Sequence, residues 1–300
     1  MKRLIQQLCL FGIIMLVSSP EGIQAQVSRG KVIEGLTIQS QILDREVRYS
    51  VYLPFDYETS RRYYPVVYLL HGYTDNDAGW IQFGEANIKA DKAIAEGSIP
   101  PMIIIMPDGG VSWYINNFDE SVAYEDFFFQ ELMPHVEDQY RIRQNKRYRG
   151  IAGLSMGGFG TLVYALKHPD KFAACAAFSA ALTVPEQAKD MNRQRWNDVY
   201  GVVYGKGKEG EDRLTKHFLE NNPFHIVKHS DKEKLRSVRY YIDCGDDDFL
   251  SPANNDFHNL LIREDIPHEY RVRDGHHSWP YWRSGLVDGL KFIGDSFHQF

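Results

Sequence analysis

Gly153-Leu154-Ser155-Met156-Gly157 places a serine between two glycines, directly after an apolar run that ends at Gly153 and before an apolar, helix-like stretch beginning near Gly158. Flanking glycines let a chain turn sharply from strand to helix. The hydroxyl then projects at the sheet edge while the helix N-terminus aims backbone N–H groups at it. Glycine-rich turns also arise from packing alone, but strand, helix and the extra Gly158 together favour a nucleophile. A serine hydroxyl is a poor nucleophile at its free pKa, so this reading requires a base beside it and a group that orients the base.

Eleven histidines are available. His276 and His277 stand in a turn, Asp274-Gly275-His276-His277-Ser278-Trp279, that follows the strand-like Glu269-Tyr270-Arg271-Val272-Arg273. In a serine-hydrolase arrangement on a parallel sheet the base lies there, after the last strand. His135, His168, His217, His225, His229, His258, His268 and His298 fall in helical or polar stretches and read as solvated side chains. His71 reads as a residue that shapes its loop. The choice of base is between His276 and His277.

A carboxylate should come between serine and histidine in chain order. Tyr240-Tyr241-Ile242-Asp243-Cys244-Gly245-Asp246-Asp247-Asp248 supplies four, of which Asp243 lies within the strand and leaves the loop trio. Consecutive acids also raise the possibility of a cation, yet a Ca²⁺ loop needs spaced oxygen ligands and this segment lacks them. No metal and no cofactor is expected. Two N–H donors should face a developing oxyanion. Met156, next to the serine, is one, and Tyr73 in His71-Gly72-Tyr73 is the other.

These residues need a frame that holds them together. Val47, Tyr49, Val51 and Leu53 alternate with polar neighbours, which predicts a half-buried antiparallel strand. Apolar runs at 65–70, 102–106, 149–153, 172–178 and 238–242 read as strands buried on both faces, separated by helical stretches at 124–141 and 158–168. That alternation predicts an α/β fold with a mostly parallel central sheet flanked by helices, and ligands at the carboxyl ends of its strands.

Residues 26–300 read as one domain, with no repeat and no linker-like stretch. Lys2 and Arg3 precede an apolar run from Leu8 to Val17, a Ser-Ser-Pro break and Ile23-Gln24-Ala25, the plan of an export signal over residues 1–25. Ten apolar residues fall short of the roughly 20 that span a bilayer, so no membrane insertion is expected after cleavage and the protein should be secreted or periplasmic. Removing that segment takes away Lys2, Arg3 and Glu21 and leaves 32 basic against 39 acidic residues, a net charge of −7. Such a balance disfavours nucleic acid as a partner. Cys175 and Cys244 remain, each in apolar surroundings where a free buried thiol is natural.

The motifs resemble those of the esterase D-like α/β-hydrolases, in particular the branch with feruloyl and acetylxylan esterases. The resemblance rests on Tyr68-Leu69-Leu70-His71-Gly72 with Trp80, Pro107-Asp108-Gly109 with Trp113-Tyr114, and Gly153 to Gly160. It continues through His168-Pro169, Asp243 to Leu250 and His277-Ser278-Trp279-Pro280-Tyr281-Trp282. It implies an α/β-hydrolase fold and a serine esterase using Ser155, with Asp248 as the acid and His277 as the base, which breaks both ties. The implied substrate is an ester on plant cell-wall polysaccharide, hydroxycinnamoyl arabinoxylan first and short-acyl esters second. Acyl transfer to a sugar is a further alternative. A non-catalytic carbohydrate-binding relative would lack a member of the triad, and none is missing. Trp80, Trp113, Trp279 and Tyr281 are candidates for stacking on an aromatic acyl group or a sugar ring. The segment 183–222, with Trp196 and Tyr200, should cap the site.

Overall fold

The computed structural model describes residues 29–297, so the predicted export signal and Cys9 lie outside the described residues. Eight strands form one sheet in the order β1-β2-β4-β3-β5-β6-β7-β8. They are β1 (Lys31–Ser40), β2 (Arg45–Leu53), β3 (Val66–Leu70), β4 (Ile103–Pro107), β5 (Arg149–Leu154), β6 (Ala174–Phe178), β7 (Arg239–Gly245) and β8 (His268–Arg273). β2 runs antiparallel to both β1 and β4, and every pairing from β4 to β8 is parallel.

The strands from β3 to β7 are runs of Val, Ile, Leu and Ala because helices cover both of their faces. Val66, Tyr68 and Ile151 belong to one apolar layer, whereas Val67, Ala152 and Ile104 belong to the other. β2 departs from the predicted half-burial. Its polar alternates Ser50 and Tyr52 are buried too, their hydroxyls donating to Asp77 (2.7 Å) and Asp91 (2.7 Å). Of the polar alternates Arg48, Ser50 and Tyr52 only Arg48 stays open to water, so alternation in residue type here marks buried hydrogen bonds at Ser50 and Tyr52.

The chain winds from β3 out to β4, then crosses back so that β5 pairs with the other edge of β3. That reversal opens a crevice at the carboxyl ends of β3 and β5, the place where doubly wound sheets bind ligands. Ser155 follows β5 there. The predicted helix over 124–141 is interrupted by a π-turn at Phe128–Leu132, and the helix after the serine runs from Met156 to Lys167. Cys175 and Cys244 are free and buried, and burial pushes both thiols up, that of Cys244 to about 12. Among the described residues no helix is long and apolar enough to cross a membrane.

Candidate active site

Ser155 occupies a backbone conformation that L-residues rarely adopt, φ 53° and ψ −114°. Such a conformation costs about 1–3 kcal/mol and persists only where the surroundings impose it. Here the Ser155 N–H donates to the Phe178 carbonyl (2.9 Å), and the Ser155 carbonyl accepts from Phe159 (3.0 Å) and Ala181 (2.9 Å). The turn has no room for flanking side chains. A Cβ on Gly153 would lie 2.5 Å from the Gly157 carbonyl oxygen, and one on Gly157 would lie 2.5 Å from that of Leu70. Sterics thus explain the spacing that first singled out this serine.

The Ser155 Oγ lies 3.0 Å from His277 Nε2, and His277 Nδ1 lies 2.8 Å from Asp248 Oδ2. The Asp248 side chain is wholly buried and its other oxygen accepts the Leu250 N–H at 2.9 Å. Burial by itself would raise its pKa. Hydrogen bonds from His277, Leu250 and Ser179 outweigh that effect and hold the carboxyl below the usual range. Charge-assisted bonds of this kind favour the ionised form. His276 points away: its side chain is three-quarters exposed and pairs with the exposed Asp247 at 3.8 Å. Geometry alone therefore joins Ser155, His277 and Asp248 and leaves out the two rival residues.

Loops tie this arrangement down. Asp246 Oδ1 accepts the Gly275 N–H at 3.0 Å, linking the loop after β7 to the loop that carries His277. The Trp282 ring meets His277 edge-on at 4.8 Å, and its indole N–H donates to Ser179 Oγ at 3.0 Å. Ser179 itself sits buried just beyond β6.

On the opposite side, the buried His71 ring sets the loop after β3. Gly109 donates its N–H to His71 Nε2 (2.8 Å), so that atom is an acceptor, and Nδ1–H donates to the Gly72 carbonyl (2.7 Å). A planar trans peptide points its N–H opposite to its carbonyl. With the Gly72 carbonyl turned onto His71, the Tyr73 N–H turns the other way, and both residues line a cleft. Met156 is the first residue of its helix, where an N–H has no acceptor within the helix. Both residues expected to supply donors line the same cleft as Ser155.

The cleft has a volume of about 630 Å³, and Ser155 and His277 both line it. Its walls include Trp113, Met156, Val199, Tyr200, Phe249 and Trp279. A nucleophile and base hydrogen-bonded to each other and open to the cleft, with a buried acid behind the base, make a site for acyl transfer.

The model of the Esterase family matches residues 40–293. The chain belongs to the Esterase family. A solved ferulic acid esterase is similar over 90% of this chain and 99% of its own, with 34% identity and a TM-score of 0.77. An acetyl esterase of Caldicellulosiruptor saccharolyticus is 28% identical over 236 residues, 76% of this chain and 82% of the relative. An endo-1,4-beta-xylanase/feruloyl esterase of Xylanibacter ruminicola is 31% identical over 166 residues, 53% of this chain and 23% of that longer protein. The protein is a serine carboxylic-ester hydrolase with the α/β-hydrolase fold.

Of the aromatics expected to meet substrate, the esterase brings Trp113 and Trp279 to the cleft and keeps Trp80 and Tyr281 out of it. Trp80 is 1% exposed, donates its N–H to the Leu70 carbonyl at 2.9 Å and packs edge-on against Phe178 and Trp279. Tyr281 is a buried strut whose hydroxyl bonds Asp243, the carboxylate that also pairs with Arg273 at 3.0 Å. His168 is not simply solvated: it lies 2.7 Å from the buried Glu125, which Lys167 also meets at 2.6 Å. From the expected cap, Arg195, Val199 and Tyr200 reach the cleft, while Trp196 is buried beneath, stacked on Tyr200. Phe249 and Leu250 were not among the expected wall residues. Their signal was adjacency to Asp248, since a loop that delivers an acid to the site delivers its neighbours too.

The acid limb of the esterase's stability follows from two of these carboxylates. Burial would raise Glu125, but its bonds with His168 and Lys167 hold it below the usual range, as Asp248 is held. Depressed groups contribute stability above their unfolded values, about 3.9 for Asp and 4.3 for Glu, and lose it as pH falls toward the folded values. The melting temperature should fall steeply below about pH 4, beyond a gentler decline from about pH 6.5 that comes from His135, His217, His225 and His258, where burial disfavours the charged imidazole and lowers the pKa. Absence of a steep fall below about pH 4 would contradict this assignment.

Proposed function

We propose that the esterase is exported and releases hydroxycinnamates, ferulate first, from arabinoxylan of plant cell walls through an acyl-enzyme on Ser155. The observation that carries the mechanism is the unbroken chain Ser155–His277–Asp248, whose first two members line an aromatic-walled cleft. His277 Nε2 takes the Ser155 proton as Oγ attacks the ester carbonyl carbon. The oxyanion is held by the N–H groups of Met156 and Tyr73. As the intermediate collapses, the bond to the alcohol oxygen breaks and His277 protonates that oxygen. Water then repeats the path, giving its proton to His277 and its oxygen to the acid product, and Ser155 recovers its proton.

The ferulic acid esterase similar over nearly the whole chain supports the acyl group, and so does a wall built from Tyr73, Trp113 and Tyr200. Trp113 meets Tyr200 at 4.7 Å and Tyr73 at 6.1 Å, the wall a flat ring would enter. Export is supported by the basic, apolar and small-residue order of residues 1–25. A short acyl group on the same polysaccharide is the second reading, favoured by the acetyl esterase relative.

The test is release of ferulate from methyl ferulate and feruloylated arabinoxylan, set beside release of acetate from acetylated xylan. Ferulate release that exceeds acetate release is expected. Acetate release with no ferulate would replace the hydroxycinnamoyl reading by the short-acyl one.

A further inference from the structure

We infer that Phe83, Trp279 and Phe249 form a subsite for glycosyl rings of the alcohol half of the ester, separate from the wall that receives the acyl group. The inference rests on the proposed acyl-enzyme path and extends it to the leaving group. In that path the carbonyl oxygen faces Met156 and Tyr73, whereas the alcohol oxygen must reach His277 Nε2 to be protonated. Whatever carries the alcohol therefore lies on the His277 side.

That side is aromatic and open. The Phe249 ring lies 4.8 Å from the His277 ring. From His277 the aromatic contacts run through Trp282 (4.8 Å) to Trp279 (5.4 Å) and on to Phe83 (5.7 Å). Phe249 is 65% exposed and Phe83 51%, and Trp279 is part exposed. Large apolar side chains gathered in water beside a cleft mark a binding surface, since they gain nothing where they are until something covers them. The acyl wall is the reverse, with Trp113 and Tyr200 both buried.

The occupant should be both flat-faced and polar. The apolar C–H face of a sugar ring covers an aromatic ring while its hydroxyls seek partners at the rim. Such partners flank the aromatics: Glu85, two residues past Phe83, pairs with Arg283, one helical turn past Trp279. An ion pair at the edge of the platform suits hydroxyls and would be desolvated to no benefit by an alkyl chain.

The experiment compares kcat/KM on a feruloylated arabino-xylo-oligosaccharide with kcat/KM on methyl ferulate, for the unaltered protein and for Phe83→Leu, Phe83→Trp and Phe249→Leu. Phe83 is half exposed, so its replacement should leave the fold intact, and a melting curve checks that. The unaltered protein should prefer the sugar ester. Phe83→Leu should lower the ratio of the two constants about tenfold, the size of one lost ring stack, with Phe83→Trp restoring it. Phe249→Leu should lower the ratio in the same direction. The subsite is ruled out if the sugar ester is not preferred, if a long-chain alkyl ferulate is preferred equally, or if Phe83→Leu leaves the ratio unmoved. Absence of ferulate release from either ester in the unaltered protein speaks against the acyl assignment alone. The same ratio is then read with an acetylated xylo-oligosaccharide and 4-nitrophenyl acetate.

Discussion

Ser155→Ala should lower kcat by about 10⁶, the scale seen when the nucleophile of such a triad is removed, while substrate still binds. The loss is this large because, among the described residues, Ser155 carries the hydroxyl hydrogen-bonded to His277 Nε2, and without it no acyl-enzyme can form. Steady-state kinetics on methyl ferulate measure the rate, and equilibrium dialysis against the same ester measures the binding. A second substitution separates chemistry from strain. Alanine keeps the Cβ that makes φ 53° unfavourable, whereas glycine accepts that conformation freely. Ser155→Gly should be as inactive as Ser155→Ala yet more stable than it by about 1 kcal/mol. That figure is the relief of about 1–3 kcal/mol of strain, less the extra freedom glycine gives the unfolded chain. Equal melting temperatures for the two variants would mean that the elbow stores no strain. Activity retained in either would mean that another residue is the nucleophile.

How far the sequence discloses this site depends on whether the constraint is local. The glycines around Ser155 are legible because the clashes they avoid involve the turn itself and the β3 strand beside it. Strands β3 to β7 are legible because burial on both faces demands uninterrupted apolar runs. β1 carries no such mark. Its alternation is broken by a register shift between Ile33 and Leu36, where Gly35 takes φ 67°, and only two of its ten residues are buried. The two ties, His276 against His277 and Asp247 against Asp248, turn on which way adjacent side chains point from a loop. Residue type says nothing about that, and the family motif decided it before the geometry did. Trp80 failed as a substrate residue for a related reason. An aromatic near a strand end can turn into the cleft or under it, and the Leu70 carbonyl that holds Trp80 beneath is invisible in composition. Val199 and Tyr200 reach the cleft through packing of a segment far away in sequence, which no local pattern reports.

Asp248→Asn should cost on the order of 10⁴ in kcat, more than the loss of a single ordinary hydrogen bond would suggest. The reason lies in what the carboxylate accepts. Its Oδ2 takes the proton on His277 Nδ1, which leaves Nε2 free to receive the proton of Ser155. An asparagine of the same size can turn its amide N–H₂ toward Nδ1, and a donor there forces the proton onto Nε2, where it blocks the transfer. Burial makes the choice strict, because Oδ1 already accepts the Leu250 N–H and water has no access to repair the mismatch. KM should change far less than kcat, since Asp248 does not line the cleft. Asp247→Asn is the matched control: it removes an exposed charge and a surface contact with His276, a pair worth about 0–1 kcal/mol at most, and should leave kcat within about fivefold. Comparable losses in the two variants would show that the acids act through their summed charge rather than through one oriented bond. A large loss confined to Asp248→Asn would place the effect on the tautomer of His277, and the rate that survives would then belong to the Met156 and Tyr73 donors and to binding.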